Sequence, residues 1–197
     1  MLRVVTPPIL WPVTLEEAVD HLNLDAGEKD RLVDLYIRAA TRHVENWTGL
    51  ALMDQTIDYF VDDFPDGAIY LPRPPLIEVL SVAYGDGGVF GAGTEVSDYF
   101  TDIASFPGRV YTATGVDWPT SEEYPNAVRI RYRAGYVETD VDIPEGQVPE
   151  DIKSAILLTI GTMFAHRETV VVGEVPAAMP LSAEYLLRMY RVETSLR

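Results

Sequence analysis

The sequence predicts an α+β fold, with helices toward both ends and a β-rich middle. Three observations carry that expectation. Apolar residues recur every three or four positions near 28–48 and again near 149–167. Between them, from about 54 to 136, the period drops toward two, and prolines and glycines cut the chain into short runs. A further helical pattern near 182–193 closes the chain with a locally basic, aromatic surface.

Each element has a local reason. Thr14-Leu15-Glu16-Glu17 has the form of a capping box, which predicts a short helix near 14–22. Asn23-Leu24-Asp25-Ala26-Gly27 breaks it. The next helix places Leu32, Leu35, Tyr36, Ala39, Ala40, Val44 and Trp47 on one core stripe, with Asp34, Arg38, Arg42 and Glu45 off it. Gly49 supplies its stop. Gln55–Asp62 reads as a strand spoiled only by Phe60, and Pro65-Asp66-Gly67 reads as a turn with Gly in the left-handed position. Further strands are expected over Ala68–Leu71, Ile77–Tyr84, Tyr99–Ile103 and Arg109–Thr112. The clearest is Ala127–Arg133, where Val128, Ile130 and Tyr132 alternate with three arginines. Pro149, Glu150 and Asp151 suit the start of a helix that buries Ile152, Ala155, Ile156, Thr159, Ile160, Met163 and Phe164. Ser182 is placed to cap the last helix. These patterns divide the chain into a helical core (1–53 and 137–181), a β-rich insertion (54–136) and a C-terminal partner-binding helix and tail (182–197).

Composition narrows the function. The chain has 197 residues, no cysteine and a net charge of -16, from 31 acidic against 15 basic residues. The lack of cysteine excludes a disulfide scaffold and any thiolate metal site. The acid excess argues against tight nucleic-acid binding, which needs clustered Lys and Arg. It is compatible with a surface that DNA passes without adhering. No run approaches the roughly 18 apolar residues of a membrane span, and the N-terminus lacks the long apolar core of a signal peptide.

Signals for chemistry are weak. His21, His43 and His166 lie on three different expected helices without a second histidine at ligand spacing, so structural roles are expected for all three. Asp62-Asp63 and Asp140-Val141-Asp142 lack the ordered oxygen set of a calcium loop and read as solvated turns. Gly85-Asp86-Gly87-Gly88 has no Lys-Ser/Thr ending and reads as a hairpin turn. No catalytic, cofactor or metal residue is singled out, and no enzyme is expected.

Two surfaces suit partners instead. Arg129, Arg131 and Arg133 form a basic stripe on one strand face. It either pairs with acids of neighbouring strands or meets another subunit, at the acidic Glu138–Asp151 loop with Glu138, Asp140 and Asp142 as candidates, or at Asp58 and Asp62. The segment Tyr185, Leu186, Leu187, Arg188, Met189, Tyr190 and Arg191 combines residue types enriched at interfaces. Its alternative is a last helix folded onto its own core.

The order of several fragments resembles the head–tail connector (adaptor, head-completion) proteins of long-tailed bacteriophages and gene transfer agents. They are Thr14-Leu15-Glu16-Glu17-Ala18 with His21-Leu22, Ala39-Ala40-Thr41, and Val44-Glu45-Asn46-Trp47-Thr48-Gly49. Leu71-Pro72-Arg73-Pro74-Pro75-Leu76 and Arg131-Tyr132-Arg133-Ala134-Gly135-Tyr136 follow. Val148-Pro149-Glu150-Asp151-Ile152-Lys153, His166-Arg167-Glu168 and Tyr185-Leu186-Leu187 complete the set. The resemblance implies a helical bundle carrying a small antiparallel β insertion. It implies a structural virion protein at the head–tail junction, assembled in the bacterial host cytoplasm as a ring, typically of about twelve copies. The implied partners are further copies of the chain, the portal protein and the next neck or tail-completion protein. DNA would cross the lumen without sequence-specific binding, and no membrane would be involved. Tyr185–Arg191 would dock on the portal. Against this stand two alternatives: a hydrolase with paired acids, and a β-rich ligand-binding module with a platform of Tyr59, Tyr70, Tyr84, Tyr99 and Tyr111.

Overall fold

The computed structural model describes residues 1–25, 27–85, 93–121, 125–136, 147–166 and 179–192. The fold is α+β, with four α-helices and antiparallel sheets among those residues. The chain divides into two compact units. One is built chiefly on Met1–Pro8 and Met53–Val137, the other on Ile9–Leu52 and Glu138–Ser195.

The first unit is β-rich. Its strands are β1 (Leu2–Thr6), β2 (Gln55–Val61), β3 (Ile69–Tyr70), β4 (Leu76–Tyr84), β5 (Thr94–Glu95), β6 (Phe100–Asp102), β7 (Arg109–Tyr111) and β8 (Val128–Ala134). They form a five-stranded sheet in the order β1-β2-β8-β4-β5 and a three-stranded sheet in the order β3-β7-β6. Every pairing is antiparallel. β8 shows the alternation expected of it. Val128, Ile130, Tyr132 and Ala134 are buried while the arginines between them are half-buried. Tyr132 is the largest fully buried side chain, and its hydroxyl donates to Pro72 O at 2.6 Å. Burial raises its pKa well above the ordinary phenol value.

β2 departs from its expected alternation. Ile57, Asp58 and Phe60 are buried, whereas Tyr59 and Val61 are half-buried. Phe60 is therefore core rather than a flaw in a polar face. β1 was not foreseen. Its β-branched run is short and ends at Pro7-Pro8, so periodicity alone has too few residues to work with. Gly67 is not in the left-handed region; its carbonyl instead accepts from Trp118 Nε1 at 2.8 Å. The acidic loop 138–146 and the turn 86–92 lie outside the described residues.

The second unit holds α1 (Leu15–His21), α2 (Asp30–Thr48), α3 (Glu150–Ala165) and α4 (Leu181–Leu187), each packed against the next. α1 has the predicted capping box. Thr14 Oγ1 accepts from Glu17 N at 3.2 Å, and Glu17 Oε2 accepts from Thr14 N at 2.7 Å. α2 keeps its stripe but turned about its axis. Val33, Ile37, Ala40, Thr41, Val44, Glu45 and Thr48 are buried, while Leu35 and Ala39 are exposed. The expected stripe used Leu35 and Ala39 and missed Val33 and Ile37. It also took Glu45 for a surface charge. Glu45 is buried because its Oε1 accepts from Leu52 N at 3.1 Å, beyond the helix end. Buried Thr41, Thr48 and Thr159 are satisfied by carbonyls one turn back, at Ile37, Val44 and Ala155. In α3, Ile152 to Ile160 follow the expected stripe, but Met163 and Phe164 are only half-buried. Pro149 stands one residue earlier than expected, as the helix cap.

Candidate partner-binding surfaces

α4 follows Pro180, which caps it without a side-chain bond, so Ser182 lies inside the helix and not at its cap. The helix then divides its residues between two faces. Ala183 and Leu187, four apart, are buried in their own unit. Leu181, Tyr185 and Met189, at the same spacing on another face, are 83%, 80% and 78% exposed. Among the described residues the segment therefore has one stripe packed into its own unit and one stripe exposed. Leu187 belongs to the anchor and is removed from the candidate contact set.

A 3-10 turn, Arg188–Tyr190, leads into the last described residues. Val192 N donates to Thr48 O at 2.8 Å, which ties this end to the close of α2. Arg191 stacks its guanidinium over the Trp47 ring at 5.5 Å. Tyr190 donates to Asp151 Oδ2 at 3.3 Å, and burial together with the Asp151 charge raises its pKa. Trp47, Leu181, Glu184, Tyr185, Arg188 and Arg191 line an open groove of about 690 Å³. Of these, Trp47, Leu181 and Glu184 were missing from the candidate set. Trp47 had been placed in the core stripe of α2, and Leu181 had been placed before the helix.

A second groove, of about 540 Å³, runs along the outer face of α2. Arg31, Leu35, Arg38 and Arg42 are all exposed there, at three- and four-residue spacing. Arg38 pairs with Asp34 at 2.8 Å and lies 5.8 Å from the Trp11 ring centre. The sequence reading missed this ridge because it assigned Leu35 to the core.

The β8 arginines are not at an edge, since β8 is the central strand of its sheet. Arg131 makes a bidentate pair with buried Asp58 of β2, at 2.7 and 2.8 Å. Arg133 pairs with Asp54 and, at 2.5 Å, with Glu78 of β4. These carboxylates hold both guanidinium pKa values above the ordinary range. Arg131 and Arg133 thus do what the simpler reading expected and pair with acids of their own unit. The Nε of Arg129 is buried without a hydrogen-bond partner among the described residues. Glu138, Asp140 and Asp142 lie outside those residues, so no geometry attaches to them.

The three-stranded sheet exposes another surface. Phe100 of β6 stacks on Tyr111 of β7 at 5.9 Å, and both are exposed, as are Tyr70, Ile103 and Phe106. Beside them Asp102 holds a turn. Its Oδ1 accepts from Ala104 N and Ser105 N, and its Oδ2 from Ser105 Oγ at 2.6 Å and Arg109 Nε at 3.0 Å. The Ser105 bonds are the largest cause of a carboxyl pKa below the ordinary 3.8, with Arg109 adding to them.

No group of three potential metal ligands occurs among the described residues. Asp62 accepts from Asn126 N at 2.8 Å, and Asp63 accepts from Phe64 N at 2.8 Å and from Ser121 Oγ at 2.5 Å, so both are held by hydrogen bonds within their unit. His43 has a buried Nε2 without a partner among the described residues, unlike the satisfied role expected. The five tyrosines do not form one platform: among the described residues, no ring contact joins any two of them. No described helix is long and apolar enough to cross a membrane.

The described residues thus form an α+β chain with apolar, arginine-bearing outer surfaces. Comparison with known proteins narrows that class. Residues 12–97 match the family model of phage gp6-like head-tail connector proteins. No curated protein matches the chain. Three solved structures share its fold. One, described as the virion of a native gene transfer agent (GTA) particle, aligns at 23% identity and a TM-score of 0.74, covering 100% of this chain and 97% of that one. A second, the neck of an empty GTA particle computed with C6 symmetry, aligns at 21% identity and a TM-score of 0.75, with the same coverage. The neck of a native GTA particle computed with C12 symmetry aligns at 24% identity and a TM-score of 0.74, again over 100% and 97%. The connector resemblance read from the sequence is borne out by these matches. They support a structural neck or connector subunit and do not favour the hydrolase or the ligand-binding module.

Proposed function

We propose that this chain is the repeating subunit of a head–tail connector ring, with about twelve copies in the particle. The ring docks on the portal on one side and on the next neck protein on the other. The observation that carries this reading is the split character of α4. A helix of seven residues anchors by Ala183 and Leu187 yet holds Leu181 and Tyr185 to solvent, with Met189 of the following 3-10 turn also exposed, beside a groove with Arg188 and Arg191. Tyr, Met and Arg are the residue types that dominate binding hot spots. Segment 182–197 is thus assigned to the portal, and the four helices serve as a small bundle that presents it. The exposed aromatic face of β6 and β7 is the matching candidate for the next neck component.

The acidic balance suits the same role. A net charge of -16 per copy puts a strong negative field around any lumen the ring encloses, which repels phosphates and lets DNA pass. The proposal includes no enzyme activity, cofactor or membrane step, and it places the subunit in the virion after assembly in the host cytoplasm. The β8 stripe enters only as a possible shared contact, because Arg131 and Arg133 already hold Asp58, Asp54 and Glu78. Binding to the portal protein of the same genetic element tests the reading. Tyr185→Ala with Met189→Ala should weaken binding at least about a hundredfold, the cost of two hot-spot side chains. Unchanged affinity would overturn the docking assignment.

A further inference from the structure

We propose that neighbouring copies join by sheet extension. The free edge of β1 in one copy pairs antiparallel with the open outer edge of β4 in the next. The inference rests on the ring reading above and names the surfaces that build the ring.

β1 is an edge strand with unusual exposure. All five of its residues are exposed, and Leu2, Val4 and Val5 stand 42%, 42% and 39% open on both faces. Soluble proteins usually blunt such an edge with prolines, inward charges or a covering loop. β1 carries one charge, Arg3, and its only irregularity is a register shift between Val4 and Thr6, which leaves Leu2–Val4 in regular pairing. Its outward groups follow from the register. Met1 and Phe60 exchange both backbone bonds, at 2.7 and 2.8 Å. With Leu2 opposite Tyr59, Arg3 opposite Asp58 and Val4 opposite Ile57, Arg3 turns its backbone groups to β2. Leu2 and Val4 therefore turn theirs to the side that no strand among the described residues pairs.

The same sheet has a second open edge. β5 pairs with β4 only at Ala83 and Tyr84. From Leu76 to Ser81, no strand among the described residues pairs with the outer side of β4. That stretch is six residues long against the five of β1, and it carries register shifts between Leu76 and Glu78 and between Val79 and Ser81. Leu80 is exposed on it.

Topology then selects the partner. β1, β2, β8 and β4 are successive antiparallel neighbours, so β1 and β4 run in opposite directions. A second copy in the same orientation presents its β1 antiparallel to β4, and the alternation continues across the joint. Two different edges on opposite sides of one sheet make a heterologous, head-to-tail contact, the kind that generates rings. Backbone pairing supplies affinity and the exposed valines and leucines supply fit.

The sequence has no cysteine, which makes cross-linking clean. Val4→Cys or Val5→Cys protein is mixed with Val79→Cys or Leu80→Cys protein, with the portal protein present, and oxidised. The expected result is a covalent dimer in at least one mixture and in neither variant alone. A dimer of Val4→Cys or Val5→Cys protein with itself would show two-fold β1–β1 pairing and overturn the proposal. Rings without any cross-link would also overturn it and leave the connector reading intact. Absence of rings altogether would overturn both. As a second measurement, Val4→Pro removes one outward N–H while leaving the Arg3–Asp58 pairing to β2. It should weaken ring assembly at least about tenfold with unchanged circular dichroism, as loss of an edge hydrogen bond and its neighbours predicts. Full assembly by that variant would contradict the pairing.

Discussion

Gly135 shows how one residue is fixed by its surroundings. Its φ is +125°, and a Cβ there would run into Met53 O and the Met53 carbonyl carbon. Gly135→Ala should therefore destabilise the protein by more than about 2 kcal/mol in chemical denaturation. At Gly67 a Cβ meets nothing within 4 Å, so Gly67→Ala should stay within about 0.5 kcal/mol of wild type. Charge pairs divide the same way. Asp58 is buried against Arg131, whereas Asp34 and Arg38 form an exposed helical pair. Arg131→Met strands a buried carboxylate and should cost about 3 kcal/mol or more, while Arg38→Met should cost about 0.5 kcal/mol or less. Asp102 supplies a pH test. Its folded pKa is below its ordinary value, so its bonds contribute fully above the normal carboxylate range and are lost as pH falls through the lower folded value. In a carboxylate titration by NMR, Ser105→Ala should move the Asp102 midpoint up toward 3.8, because Ser105 is the largest cause of the shift. Of these details, only the pairing of the β8 arginines with acids of neighbouring strands was legible in sequence, and without the partners. Glycines, aspartates and arginines announce their type, but not the strand that will lie opposite them.

Elements were more legible, with errors that have physical causes. β8 was read almost to its ends because it is central and half-covered, so side-chain alternation maps directly onto burial. β2 was misread at Phe60 because an interior strand with a buried ion pair buries residues on both faces. α2 was found, but its stripe was assigned by hydrophobicity alone. Leu35 looks like core and is exposed, while Glu45 looks like surface and is buried by its bond to Leu52 N. α4 was found with the wrong cap, and only the structure divides its apolar residues into an anchor and a free stripe. That division is testable at this scale. Leu187→Ala should lower stability by about 2–4 kcal/mol, as truncation of a buried leucine does. Tyr185→Ala should leave the melting temperature nearly unchanged. Equal losses of stability in both variants would place Tyr185 in the core and remove the docking stripe.

At the scale of the whole molecule, the α+β class came from hydrophobic periodicity, and the connector resemblance from the order of weak fragments over nearly the full length. The match of residues 12–97 and the fold shared with GTA neck structures support them. What the sequence did not show is how the outer surfaces are divided. The α2 ridge, the β6–β7 aromatic face and the two open sheet edges are each made by residues far apart in the chain, or by a face that hydropathy alone assigns wrongly. The central claim, that the chain works as a ring subunit, is tested most directly by native mass with negative-stain imaging. The purified protein is measured alone and then with the portal protein of the same genetic element. The account predicts a closed ring of about a dozen subunits in at least one of the two samples. A monomer in both, with no portal bound, would contradict it.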